Sequence, residues 1–215
     1  MNQTSLKKTY CFENPFKPDP LSKKALRYVR GKGTLLDVGC GEGADSVFFA
    51  KQGFTVTAFD KNKEYLKRFR IYCKDHRHTN ITIHQRSAVT YRYPHDAYDV
   101  IISLLVVCCM KRSEFEKLVA PVRKAVKRGG IIVMSARNYL DPEFAEYGER
   151  QKMIETNTFR SKEDCCKFLY FIEENRLREA FNDFEVLYHY EGYASCKYNE
   201  HPKHGDSYII CRRKR

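Results

Sequence analysis

The chain has no long apolar run. Its most apolar stretch, residues 100–110, is broken by Ser103 and falls well short of the roughly 20 residues that span a bilayer. The opening residues, MNQTSLKKTYCFENPF, hold no apolar signal core. No C-x-x-C pair occurs among the nine cysteines. Two pairs, Cys108–Cys109 and Cys165–Cys166, are directly adjacent, a spacing that suits two ligands of one tetrahedral zinc poorly. The cysteine count is also odd, so reduced thiols and no metal site are expected. Internal repeats, low-complexity tracts and an RNP-type aromatic motif are all missing. These absences describe a soluble cytoplasmic protein with no membrane partner.

What is present describes a folded enzyme-sized unit. At 215 residues, 42% apolar and 31% charged, the chain is neither disordered nor fibrous. A chain this long buries roughly 70% of its unfolded surface and needs no disulfide or metal staple. A single domain, 1–215, is expected, with an N-terminal arm over about 1–20. The net charge of +12 would suit nucleic acid or anionic ligands. Without an RNA-binding motif, the basic stretches read as solvated helix faces, and nucleic acid is not expected as the partner. Oligomeric state is not legible.

Apolar segments alternate along the chain. Residues 34–38 form a short apolar run ending in glycines. Residues 44–52, 62–74 and 113–128 have helical periodicity, the last stopped by Gly129–Gly130. Residues 54–59, 81–84, 98–107 and 131–136 read as strands. Strand followed by helix, repeated, is the pattern of a mostly parallel sheet with helices on both faces, an α/β Rossmann-like architecture. Residues 163–182 look helical. Residues 184–190 and 207–211 read as a final antiparallel pair, the last strand closing the sheet. Residues 138–162 lack an apolar period and carry charges of both signs. Together with residues up to about 171 they are expected to cover the active site and to have few buried contacts.

The first strand runs into Asp37-Val-Gly39-Cys-Gly41-Glu-Gly43-Ala-Asp45. Gly39, Gly41 and Ala44 satisfy the G-x-G-x-x-G/A fingerprint, and Asp60 follows at the distance of a ribose-binding carboxylate. The fingerprint alone admits NAD, FAD or S-adenosylmethionine. Charge separates them. Asp37, Glu42 and Asp45 would repel a pyrophosphate, at about 4 kcal/mol for like charges near 4 Å and an effective dielectric of 20. The same carboxylates attract a sulfonium and an ammonium, so S-adenosylmethionine is the expected cofactor. The alternative is a tight strand-to-helix turn that holds no ligand.

Leu35-Leu-Asp-Val-Gly-Cys-Gly-Glu-Gly43, Asp60, Tyr98-Asp-Val-Ile-Ile-Ser103 and Gly129-Gly-Ile-Ile-Val133 together resemble the seven-strand class I methyltransferases. Asp60-Lys-Asn62 after the second strand, with the tail motifs Arg176-Leu-Arg178 and Tyr198-Asn-Glu-His201, resembles the tellurite-resistance methyltransferase family. That resemblance implies that Gly39, Gly41 and Gly43 line the methionine moiety beside Asp37. It places Asp60 on the ribose, Ser87 and Ala88 beside the adenine, Ser103 on the sulfonium side and Tyr10 with Phe12 over the cofactor. The class usually has an acidic residue where Ser87 stands, and the two aromatics would equally suit packing of an N-terminal arm.

Methyl transfer is an in-line displacement, in which the protein chiefly aligns and excludes water. Arg137, His201, Lys203 and His204 are expected to form a cationic mouth, with His201 and Arg137 as the catalytic or substrate-binding pair. A small, anionic acceptor follows, such as a tellurite- or selenite-type oxyanion. Each of these residues is otherwise an exposed loop charge, and Pro202 departs from the family pattern. Two other functions fit the motifs: an RNA methyltransferase using the basic surface, and a non-catalytic S-adenosylmethionine-binding protein.

Overall fold

The computed structural model describes residues 16–29, 31–162, 166–195 and 203–215. The chain enters through α1 (Pro20–Leu26), started by Asp19, whose side chain accepts from the Leu21 N–H. It then alternates through β1 (Thr34–Val38), α2 (Ala44–Lys51), β2 (Thr55–Asp60), α3 (Lys63–Asp75), β3 (Ile81–Gln85) and β4 (Tyr98–Leu104). Asn62 caps α3 by accepting from the Glu64 and Tyr65 N–H groups. A 3-10 turn (Val107–Cys109) leads to α4 (Arg112–Ala125) and β5 (Val126–Arg137). The remainder comprises α5 (Pro142–Arg150), β6 (Thr158–Arg160), β7 (Phe168–Tyr170), α6 (Arg176–Ala180), β8 (Glu185–Ser195) and β9 (Lys203–Arg212).

Seven strands make one sheet in the order β3-β2-β1-β4-β5-β9-β8. The first five are parallel, while β9 runs antiparallel to both β5 and β8. The chain's last strand is therefore internal, and β8 forms the edge. Its two faces bury separate cores. Phe115, Leu118 and Val122 of α4 and Leu177 of α6 cover one face. Leu21 and Ala25 of α1, Val47 and Phe49 of α2 and Leu66 and Phe69 of α3 cover the other. Each fully buried Leu or Phe contributes about 1.5–3 kcal/mol. This is the expected doubly covered, mostly parallel sheet with an antiparallel last strand. Among the described residues no helix is long and apolar enough to cross a membrane.

Three expectations fail locally. Helix α4 stops at Ala125, before the predicted 128, because Val126 turns extended and residues 126–130 join the sheet. Gly129 donates to the Arg213 carbonyl and Arg213 to that of Gly130, so ladder bonds replace the last helical turn. The described part of 163–182 is not one helix either. Leu169, Tyr170, Phe171 and Ile172 are all buried in succession, which one stripe of a helix cannot achieve. Residues Phe168–Tyr170 instead pair with Thr158–Arg160 as a hairpin. The segment after β5 is also better anchored than its charge pattern predicted. No residue of α5 is buried, yet Phe159, Leu169 and Phe171 form a small core with Cys108, faced by Phe144 and Tyr147.

Candidate active site

The end of β1 is held to the end of β2 by backbone bonds. The Gly39 and Cys40 N–H groups both donate to the Phe59 carbonyl, at 2.8 and 2.9 Å. Gly39, Gly41 and Gly43 all have positive φ, at 70°, 53° and 86°. They differ in what lies beyond them. A Cβ on Gly39 would meet Val106 at 2.4 Å, and one on Gly43 would strike the Phe69 ring at 2.2 Å. A Cβ on Gly41 would meet nothing within 4 Å. Packing thus requires glycine at 39 and 43, whereas Gly41 faces open space at the tip of the loop. Its N–H donates to Asp60 Oδ2 at 3.0 Å, and the other carboxylate oxygen accepts from the Asn62 N–H at 2.7 Å. Asp60 therefore ties the loop to the start of α3.

Only part of the predicted acidic rim faces the loop. Glu42 is ion-paired with Arg68 at 2.6 Å. Asp45 accepts from the Asp19 N–H at 2.9 Å and is turned toward the start of α1; burial raises its carboxyl to about 6. Asp37 lies beneath the loop, buried, with the Ser46 hydroxyl donating to it at 2.6 Å. Burial pushes Asp37 up to about 8, with Asp45 and Asp60 adding to the effect and Ser46 opposing it. The Cys40 thiol is likewise raised well above its usual range by burial, so it is no thiolate nucleophile.

Beside β2 and β3, an open cleft is lined by Lys61, Gln85, Arg86, Ser87 and Thr90. Ser87 lines this cleft, and its neighbour Ala88 packs against the core. Ser103, at the end of β4, is fully buried, and its Oγ has no partner among the described residues. Two residues on, Leu105 has φ 55° and is 45% exposed, an arrangement no sequence signal announced. Its N–H is held by the Ser135 carbonyl and hydroxyl, at 3.2 and 3.0 Å. Left-handed backbone at such a residue costs of order 1–3 kcal/mol and concentrates at functional sites.

The predicted cationic mouth needs correction. Arg137 is buried and ion-paired with Glu143 at 2.7 Å. His204 Nδ1 lies 3.0 Å from Asp141, and both are buried. These side chains do come together at one end of β5 and β9, but each cation has a carboxylate against it. Sequence spacing could not show this, because Asp141 and Glu143 belong to the start of α5. Lys203 remains exposed. Tyr10, Phe12 and His201 lie outside the described residues.

The profile of a family described as a methyltransferase domain matches residues 35–130. This stretch is similar to a methyltransferase domain over a little under half of the chain. A ubiquinone biosynthesis O-methyltransferase from Hydrogenovibrio crunogenus is 34% identical over 123 residues, covering 54% of this chain and 48% of its own length. The chain spans about half the length of the curated relatives it matches. Among solved structures, a SAM-dependent methyltransferase from Methanosarcina mazei superposes with TM-score 0.75 at 16% identity, covering 92% of this chain and 99% of that one. TehB from Haemophilus influenzae superposes with TM-score 0.70 at 19% identity, covering 90% and 61%. At these identities the likeness of the solved structures is one of fold. The domain's family match ends at residue 130, before the charged cluster of Arg137, Asp141, Glu143 and His204.

Proposed function

We propose that the protein is an S-adenosylmethionine-dependent methyltransferase acting on a small molecule. The observation that carries this reading is Gly41: a left-handed residue at the tip of an acidic loop, open where a side chain would project, with its N–H fixed by Asp60. The residues fit the cofactor. Asp60 would take the ribose hydroxyls, the backbone at Gly41 would approach the methionine moiety, and the cleft at Ser87 would receive the adenine edge. Asp37, the buried acid below, suits a cationic ligand. When bound, the cofactor supplies an electrophilic methyl group on a sulfonium, and the S–CH3 bonding pair returns to sulfur as the acceptor's lone pair takes the carbon.

The acceptor would lie over the carboxyl ends of β4 and β5, where ligands of doubly wound sheets bind. Residues 138–171 would cover it, with the α5 part the looser and the β6–β7 hairpin the firmer. The anionic acceptor inferred from a cationic mouth loses its electrostatic basis, because Arg137 and His204 are compensated by Glu143 and Asp141. A tellurite- or selenite-type substrate then rests on the tail resemblance alone.

The test is calorimetry with S-adenosylhomocysteine, followed by transfer of a labelled methyl group. Binding that is lost in Gly41→Val but kept in a surface control supports the reading. Unaltered binding in a folded Gly41→Val would remove it. Binding without transfer to any acceptor would favour a non-catalytic cofactor-binding protein. Transfer only to structured RNA, with steep salt dependence, would favour the basic surface around residues 63–74 as the partner site.

A further inference from the structure

Beyond the two compensated pairs, the end of the sheet holds a third acid. Asp206, at the start of β9, is 9% exposed and stands opposite Arg137 on β5 and Gly192 on β8. Its Oδ2 accepts from the Tyr208 hydroxyl at 2.7 Å. Among the described residues it has no ion pair, and Oδ1 has no hydrogen bond. Arg137 and His204 are near enough to lower its affinity for a proton and Asp141 to raise it, but burial prevails and the carboxyl is raised above its usual range. Two paired charges and one further carboxyl therefore meet at this end of the sheet, and Asp206 is the carboxyl with no ion pair among the described residues.

A second feature agrees. The Tyr208 ring stacks on Tyr190, with centroids 5.6 Å apart and planes 24° apart, beside the carboxyl it binds. Paired aromatic faces next to a carboxylate are chemistry that recognises ammonium groups. The neighbouring ring on β8, Tyr188, already carries one, with Lys24 Nζ 3.6 Å from its centroid. Because β9 runs antiparallel to β5, Asp206 opposite Arg137 stands at the end of the sheet where the parallel strands have their carboxyl ends, the end where ligands of doubly wound sheets bind.

We propose that Asp206, flanked by Tyr208 and Tyr190, recognises the acceptor, and that the acceptor is a small amine. This rests on the methyltransferase reading. The amine arrives as an ammonium, held by the carboxylate and the aromatic faces. One N–H proton passes to Asp206, which frees the nitrogen lone pair. That pair forms the N–CH3 bond as the S–CH3 bond breaks with its electrons left on sulfur. The methylated nitrogen is a four-bonded ammonium that leaves as such or after losing a proton to water, and the proton held by Asp206 passes to solvent.

The experiment uses the full chain, with methylamine, ethanolamine and benzylamine set against benzyl alcohol, benzyl thiol, tellurite and selenite. In Asp206→Asn the amide oxygen still accepts from Tyr208, so the fold is retained. The expected result is methyl transfer to an amine, and a rise in melting temperature when that amine is added to the protein loaded with S-adenosylhomocysteine. In Asp206→Asn that rise is lost and kcat/KM falls at least a hundredfold, while S-adenosylhomocysteine affinity stays within twofold and the unliganded melting temperature does not fall. Transfer to an oxyanion, alcohol or thiol with none to the amines would overturn the proposal. So would amine turnover indifferent to Asp206→Asn, or a variant whose only change is lower stability. If the unaltered protein does not bind S-adenosylhomocysteine, the methyltransferase reading itself falls.

Discussion

The two halves of the site are made differently. The proposed cofactor cradle lies within residues 34–104 and is largely backbone: glycines, N–H groups and one carboxylate, Asp60, that ties two of them. The proposed acceptor end is made of side chains from β5, the start of α5 and β9, paired across more than 60 residues of sequence in the case of His204 and Asp141. A backbone cradle depends on spacing within one loop. A side-chain cluster depends on which charges the fold brings into contact, and contact here turns an expected cationic mouth into paired charges.

That difference can be broken from either side, and the largest effect belongs to the side-chain half. Arg137→Ala empties a buried position and leaves the half-buried Glu143 without its cation. Removing one partner of a fully buried pair costs about 3–5 kcal/mol, which is the upper bound here, and chemical denaturation should detect the loss as a lower midpoint with an unchanged slope. Replacing both with Met should recover most of that loss. Had Arg137 been an exposed cation at the mouth, Arg137→Ala would leave stability alone and change only acceptor kinetics. The next effect belongs to the cradle. Gly41→Val should lower S-adenosylhomocysteine affinity at least a hundredfold, about 2.7 kcal/mol, with a modest loss of stability from the left-handed backbone. Gly43→Val is the contrast: it must displace Phe69 from the core and should fail to fold.

The same division explains what the sequence could disclose. The loop at Gly39–Gly43, Asp60 and the strand alternation are local patterns, so the sheet and the strand-to-helix glycine turn were legible, including the antiparallel last strand. The ends of α4 and the 168–172 run were not, because ladder bonds to Arg213 and burial on all sides are long-range facts. The charge at the acceptor end was misjudged for a related reason. Arg137 and His204 were counted, but Glu143 and Asp141 sat in a segment taken to be a loose cover. Asp206 and Tyr208 carried a signal in retrospect: two polar residues alternating on one face of a strand whose other positions, Ile209 and Cys211, are core.

A smaller effect concerns Asp60, which joins the two kinds of construction. Asp60→Ala would remove the charge-assisted hydrogen bond proposed to the ribose, worth about 1.5–3 kcal/mol, and would free the Gly41 and Asn62 N–H groups. Cofactor affinity should fall ten- to a hundredfold by calorimetry. Asp60→Asn should lose less, since its amide oxygen can keep one of the two backbone bonds. Equal affinity in both variants and the unaltered protein would place the cofactor elsewhere.

The smallest effect is the pH response of the unliganded protein, and it isolates Asp37. Its carboxyl rises from 3.8 in an unfolded chain to about 8 in the fold, mainly through burial. Between those values the folded state holds a proton that the unfolded state has released. The associated stability is full below the unfolded value and is lost as pH climbs through the folded one, with a slope no steeper than about 1.4 kcal/mol per pH unit for one proton. Asp45, raised to about 6, acts in the same direction over the lower part of that range. Melting temperature without ligand should therefore decline from pH 5 to pH 8, and Asp37→Asn should flatten the decline above pH 6, where Asp45 has already titrated. A cationic ligand over the loop favours the ionised Asp37, so saturating S-adenosylmethionine should oppose the decline and release a proton near neutral pH, visible as a buffer-dependent binding enthalpy. An unchanged slope in Asp37→Asn would mean that the acid below the loop is ionised without help, and that the cradle's charge is set by Asp60 alone.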